Sequence, residues 1–137
     1  MSDVNWCSTK DALIISPEKG GRIISWRHCD KEIVYPIEKT NGGLARVLFA
    51  DERFPGSSYT VPHIITEKKD FAVSMRYIWN TPNMFAKLFD FDEKANLLYV
   101  DGLLLDKTIS FFPEKSSVSI DIRITNLSNK KKVLVPW

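Results

Sequence analysis

Hydrophobic and polar positions alternate along much of this chain with a period of two. Val118, Ile120, Ile122 and Ile124 alternate with Ser119, Asp121, Arg123 and Thr125, which predicts a strand with one buried and one solvated face. Phe71, Val73, Met75, Tyr77 and Trp79 alternate in the same way with Ala72, Ser74, Arg76 and Ile78, predicting a second long, half-buried strand. Shorter apolar runs at Ala12 to Ile15 and Arg22 to Trp26 flank Ser16-Pro17-Glu18-Lys19-Gly20-Gly21, whose glycines can supply the positive φ angles of a tight hairpin. His28 to Lys31 reads as a turn and Glu32 to Tyr35 as a strand closed by Pro36, since proline cannot donate to a ladder. Met84 to Phe91, Leu97 to Leu105 and Lys107 to Phe112 supply further strands. Pro113 to Ser116 and Asn126 to Asn129 are turns, and Val133 to Val135 is a last short strand. No helical stripe of useful length occurs, so the predicted class is all-β, an antiparallel β-sandwich spanning residues 1–137.

The pattern weakens between Glu38 and His63. Asn41-Gly42-Gly43 leads into the apolar run Leu44 to Ala50, then into a stretch rich in turn formers from Asp51 to Tyr59. Loops of more than about 12 residues are uncommon in compact domains and are often functional, so the first place to seek a site is here.

Composition narrows the class. The chain has 137 residues, 44% of them hydrophobic and 26% charged, a balance for a folded core and not for disorder. The net charge of +2 comes from nineteen basic residues set among seventeen acids, which leaves little field to steer nucleic acid. Lys130 to Lys132 beside a turn read as a solvated hairpin or a protected strand edge. Cys7 and Cys29 lack metal-ligand spacing and are expected as free thiols. No apolar run approaches the roughly 18 residues of a membrane helix, and the N-terminus does not read as a signal peptide. The expected address is cytoplasmic, with no nucleic-acid or membrane partner, no cofactor and no metal.

Three blocks in order resemble the galactose mutarotase-like (aldose epimerase) superfamily. The first is Ile15 to Trp26 followed by Lys31-Glu32-Ile33-Val34-Tyr35-Pro36. The second runs from Gly42-Gly43 through Phe54-Pro55 to His63, similar in layout to the hexose-phosphate epimerase branch. The third is Ser117 to Trp137, a strand pair like the one that in that superfamily leads into a catalytic histidine. The resemblance implies the N-terminal half of a mutarotase-like sandwich and a sugar or sugar phosphate as ligand. The superfamily's downstream histidine and C-terminal glutamate have no counterpart here, and Ile64 follows His63 where a glycine is usual. Ring opening of a pyranose needs a base and an acid held around one sugar, so autonomous mutarotation is not expected.

Candidate binding residues follow from the loop and its flanks. His63 could meet a sugar hydroxyl, since its unperturbed pKa lies near neutrality, or could simply end a strand. Arg46, Glu52 and Arg53 could bind hydroxyls or a phosphate bidentately, or pair with one another on the surface. Trp137 could offer an aromatic face to a sugar ring, whereas Trp26 and Trp79 fall in strand registers and read as core. Asp101, Asp106 and Asp121 are spaced along strands and read as solvent-facing. The expected function is a carbohydrate-binding or carbohydrate-related domain without an independent catalytic site. The alternatives are half of an aldose or hexose-phosphate 1-epimerase completed by further residues or a second chain, which would make it an isomerase, and a structural module that forms homo-oligomers through exposed strand edges.

Overall fold

The structure, a computed structural model, describes residues 2–35, 42–45, 62–78 and 102–129. The expected strands at Met84 to Phe91 and Val133 to Val135, the lysines 130–132, Asp101 and Trp79 lie outside the described residues. Among the described residues, eight strands form two antiparallel sheets of four. The first holds β1 (Val4–Cys7), β2 (Asp11–Ser16), β3 (Arg22–His28) and β4 (Lys31–Glu32) in sequential order. The second holds β5 (Ile64–Lys69), β6 (Ala72–Ile78), β7 (Leu103–Phe112) and β8 (Ser117–Asn126), again in order. The all-β, antiparallel sandwich expected from the alternation is the architecture observed.

The buried sets of β2, β6 and β7 are those that alternation puts on one face, while on β3 the register shift opposite Ile14 and Ile15 lets Ile23 and Trp26, three residues apart, face the same core. Leu13 and Ile15 of β2, Ile23 and Trp26 of β3, Val73 and Met75 of β6, and Ile109 and Phe111 of β7 join one core with Val4 and Trp6. Aromatic rings bridge the layers at one end: Trp6 stacks on Phe111 with centroids 6.4 Å apart, and Trp26 meets the same ring edge-on. Trp26 is therefore core, as its register suggests. Two elements escaped the sequence reading. The four residues of β1 are too few to show a period, and β5 carries Glu67, Lys68 and Lys69, which hide its strand character behind charge. The strand expected over Glu32 to Tyr35 is also shorter and shifted: β4 pairs at Lys31–Glu32.

Both main hairpins turn on the same tripeptide. Pro17-Glu18-Lys19 and Pro113-Glu114-Lys115 each form one 3-10 turn, with proline's fixed φ suited to the first position. Each is closed by a left-handed residue: Gly20 at φ 77° in the first and Ser116 at φ 46° in the second. The Gly20-Gly21 pair thus supplies the positive φ expected of it. Serine has no such freedom, and Ser116 is held by its hydroxyl, which donates to Asp11 Oδ2 at 2.7 Å.

Asp11 is the polar pin at this end of the sandwich. Its Oδ1 accepts from Trp26 Nε1 at 2.8 Å and lies 2.9 Å from His28 Nδ1, while Ser116 reaches it from the opposite sheet. Burial works to raise the pKa of this carboxyl, but the bonds from Ser116, Trp26 and His28 together outweigh it and leave the pKa below its ordinary value of 3.8.

One sequence expectation is corrected here. The apolar side of β8 was expected to be its buried face, yet Ile120 and Ile122 are 37% and 47% exposed. β8 lies last in its sheet, and the described residues leave this part of its apolar row partly uncovered.

A carboxyl whose folded pKa is depressed stabilises the fold above its unfolded pKa and loses that contribution as pH falls through the folded value. Asp11→Ala is expected to destabilise by about 3 kcal/mol, because it strands buried donors. It should also flatten the loss of stability below about pH 4. Chemical denaturation of both proteins across pH 2–7 measures both effects.

Candidate functional site

Residues 42–45 and His63, at the two ends of the stretch that the sequence reads as a long loop, converge on the Pro17–Gly21 turn and the strand that follows it. At its start, Leu44 exchanges backbone hydrogen bonds with Ile23, both at 3.0 Å, so that Gly42 to Ala45 lie against β3. The Gly43 N–H donates to Tyr35 O at 3.2 Å, and Arg22 Nη1 donates to Gly42 O at 2.7 Å. At its end, the His63 N–H donates to Pro17 O at 2.8 Å.

Local chemistry explains why these residues stand here. Gly43 takes φ 88°, and a Cβ there would lie 2.9 Å from Ile23 O, so a side chain is excluded by both conformation and space. A Cβ on Gly42 would collide with Tyr35 O. Ala45 follows at φ 66°, an unusual angle for a residue with a side chain. Its carbonyl accepts from Lys107 Nζ at 2.6 Å, which holds the backbone in that conformation.

Lys107 is the residue that sequence reasoning missed. It occupies an inward position of β7 in the row Leu103, Leu105, Lys107, Ile109, Phe111, and it is fully buried. Its ammonium spans the sandwich and also donates to Gly20 O at 3.0 Å and Gly21 O at 3.1 Å. Lysine's three donors are thus matched by three backbone acceptors from the opposite layer. Burial above all, and the nearby Arg22 guanidinium to a smaller extent, push its pKa down to about 7. The signal was present in the sequence, since a lysine in phase with four apolar residues on a period of two must either break the face or be buried with partners.

His63 lies on the floor of the same region. Its ring is fully buried and stacks on Tyr77 with centroids 5.3 Å apart and planes 22° from parallel. Gly21, at φ 58°, leaves the room for it: a Cβ there would meet His63 Cδ2 at 3.3 Å and Met75 Sδ at 3.1 Å. The structure therefore brings His63, Arg22, Lys107 and the Gly42–Ala45 segment to one turn. The other predicted site residues, Arg46, Glu52, Arg53 and Trp137, lie outside the described residues.

A second candidate is a shallow groove of about 470 Å³ on the outer face of the second sheet, lined by Ser74, Asp106, Thr108, Asp121, Ile122 and Arg123. Several of its polar groups already serve one another. Arg76 makes two hydrogen bonds to Asp106, and the Ser74 and Thr108 hydroxyls lie 2.8 Å apart. Among the described residues no group of His, Cys, Asp and Glu could hold a metal ion, and Cys7 and Cys29 are exposed free thiols, as expected. Among the described residues no helix is long and apolar enough to cross a membrane.

Comparison with known proteins bears on the fold. The structure is similar to that of a galactose mutarotase-like protein from Lactobacillus casei ATCC 334, with a TM-score of 0.63 and 19% sequence identity. The match covers 94% of this chain and 46% of that one, so this chain spans a little under half the length of its structural neighbour. The fold resemblance read in the sequence is therefore present in three dimensions. No protein-family model matches the chain, and no curated protein matches it in sequence.

Two measurements probe the clamp. A lysine whose pKa is lower in the folded state opposes folding least at high pH, because the unfolded chain binds more protons between the two pKa values. Stability should therefore rise between pH 7 and the ordinary lysine value of 10.5, by up to about 1.4 kcal/mol per pH unit. Lys107→Met should remove that rise, as read by urea denaturation across the window. Gly43→Ala is expected to destabilise by about 1–3 kcal/mol through its forced left-handed φ, read as a lowered Tm.

Proposed function

We propose that this chain is a carbohydrate-binding or carbohydrate-related β-sandwich domain without an independent catalytic site, which receives a sugar or sugar phosphate at the Gly42–His63 loop. The observation that carries the reading is the fold likeness to a galactose mutarotase-like protein. The double clamp of the loop onto the Pro17–Gly21 turn supports its location, because a ligand site on a loop needs a rigid base. In this reading Arg46, Glu52, Arg53 and Trp137 meet the ligand. The guanidinium groups donate paired hydrogen bonds to hydroxyl or phosphate oxygens, the carboxylate accepts from hydroxyls, and the indole covers the C–H face of the ring. His63, whose ring solvent does not reach, acts from beneath, fixing the end of the loop against Tyr77.

A specific observation favours a second reading. Because the chain covers 46% of its structural neighbour, it also suits one half of an aldose or hexose-phosphate 1-epimerase whose acid and base come from further residues or another chain. The two readings part on activity. In the first, mutarotation of freshly dissolved glucose or galactose followed by polarimetry proceeds at the uncatalysed rate at every protein concentration. In the second, catalysis emerges once the complementary half is supplied.

A thermal-shift screen against aldoses and hexose phosphates tests the site. A ligand at a hundredfold excess over its Kd should stabilise the protein by about 2.7 kcal/mol. Arg46→Ala should lose the shift while keeping the unliganded Tm, whereas His63→Ala should lower the unliganded Tm itself. Absence of a shift with every sugar and sugar phosphate would remove the carbohydrate reading.

A further inference from the structure

The register of the second sheet leaves two charges over on its outer face. β6, β7 and β8 set Ser74, Thr108 and Asp121 in one row across the strands, and Arg76, Asp106 and Arg123 in the next. In the second row Arg76 donates to both carboxylate oxygens of Asp106, at 2.8 and 3.3 Å, which leaves over Arg123 on the other side of that aspartate. In the first row Asp121 lies opposite a threonine and accepts a long hydrogen bond from Ser119, at 3.4 Å. Among the described residues Arg123 makes no hydrogen bond or ion pair, and Asp121 makes no ion pair.

These two groups border a hollow. Ser74 and Thr108 are short beside the charged side chains of the next row, and the groove over them holds about 470 Å³, within the range of about 300–1,000 Å³ for small-ligand sites. The two hydroxyl oxygens lie 2.8 Å apart, so one hydroxyl donates to the other, and one O–H with the remaining lone pairs is left for a ligand. Asp121 and Arg123 alternate onto the same face two residues apart, about 7 Å along the strand. Arg76 and Asp106 cancel each other, so the groove is neutral as a whole yet carries one uncompensated charge of each sign. A ligand with a single charge would satisfy one of these and meet the other with like sign. A polyol would leave both without a counter-charge, and the groove's lining offers no aromatic ring for its C–H face. A ligand that carries both signs matches the pair.

We propose that this groove is a binding site for a small zwitterion, a molecule with an ammonium group and a carboxylate a few carbons apart. The ligand's carboxylate takes paired N–H donors from the Arg123 guanidinium. Its ammonium donates to the Asp121 carboxylate and to the hydroxyl oxygens of Thr108 and Ser74. Lys107, between Asp106 and Thr108 in sequence, is buried on the inner face of β7, so the groove lies on the opposite side of the sheet from the Lys107 clamp. The zwitterion site is therefore separate from the sugar site proposed above, and neither reading rests on the other.

Glycine and 4-aminobutyrate are the probes, titrated into isotope-labelled protein and followed by the amide chemical shifts of Ser74, Thr108, Asp121 and Arg123. At least one of the two is expected to shift these amides and to saturate in the millimolar range, as suits two exposed charge pairs. Asp121→Asn and Arg123→Gln should each keep the unliganded Tm and weaken binding by about fivefold, the worth of one exposed charge pair. Propylamine and butyrate each lack one of the two charges and glycerol lacks both, so each should bind at least about fivefold more weakly than the zwitterion. Arg46→Ala should leave the titration unchanged, which separates this site from the sugar loop. The proposal is overturned if neither zwitterion moves these amides at tens of millimolar. It is overturned equally if propylamine, butyrate or glycerol binds as tightly, or if the affinity survives both Asp121→Asn and Arg123→Gln.

Discussion

The ammonium of Lys107 is the interaction on which the rest of this sandwich depends. A charge fully withdrawn from water is tolerated only with its donors satisfied, and here the satisfaction comes from across the core, from the carbonyls of Gly20, Gly21 and Ala45. These acceptors belong to a hairpin turn of one sheet and to the start of the long loop, while the donor belongs to the other sheet. Sheet separation, turn geometry and loop position are thus set together. The consequence is local rigidity in a segment, Gly42 to Ala45, that departs from regular structure and holds two residues at positive φ.

Asp11 does the equivalent at the other end of β2. It gathers Trp26 and His28 from its own sheet and Ser116 from the opposite one. The two polar pins bracket an apolar middle of Leu13, Ile15, Ile23, Met75 and Ile109, whose packing is non-directional. Apolar burial brings the layers together, and the buried aspartate and lysine restrict how they can slide. Both pins also involve the residues that close the two Pro-Glu-Lys turns, so the same tripeptide serves in each sheet as the point where the layers are tied.

The second sheet is covered less completely than the first among the described residues, because Ile120 and Ile122 of β8 stay 37% and 47% exposed. A mutarotase-like sandwich of which the chain spans a little under half carries an inward apolar row on β8 that the described residues leave partly uncovered. The loop where a sugar is proposed to bind is clamped at the other layer, against the Pro17–Gly21 turn and β3.

Much of the fold was legible from alternation alone. Residues Phe71 to Ile78 and Ser117 to Thr125 announce strands because their period of two has no helical counterpart, and Gly20-Gly21 marks a hairpin because few residues accept positive φ. Short β1 and charged β5 were not legible, since four residues show no period and charge masks a strand whose partner supplies its order. The candidate site was legible only in outline: glycines and a histidine bounding a long loop. That Lys107, 44 or more residues from either end of that loop, holds its first turn could not be read locally. Its charge is compatible with the apolar face only because carbonyls distant in sequence converge on it, and that convergence exists only once the two sheets have packed. The same holds for β8, whose sequence declares an apolar face while only the tertiary arrangement decides that the described residues leave it partly uncovered. Periodicity, turn chemistry and fold class are properties of neighbouring residues, and the sequence by itself determined them. Which polar groups meet in the core, and which apolar ones stay outside it, are properties of the packing of the sheets, and only the tertiary structure decided them.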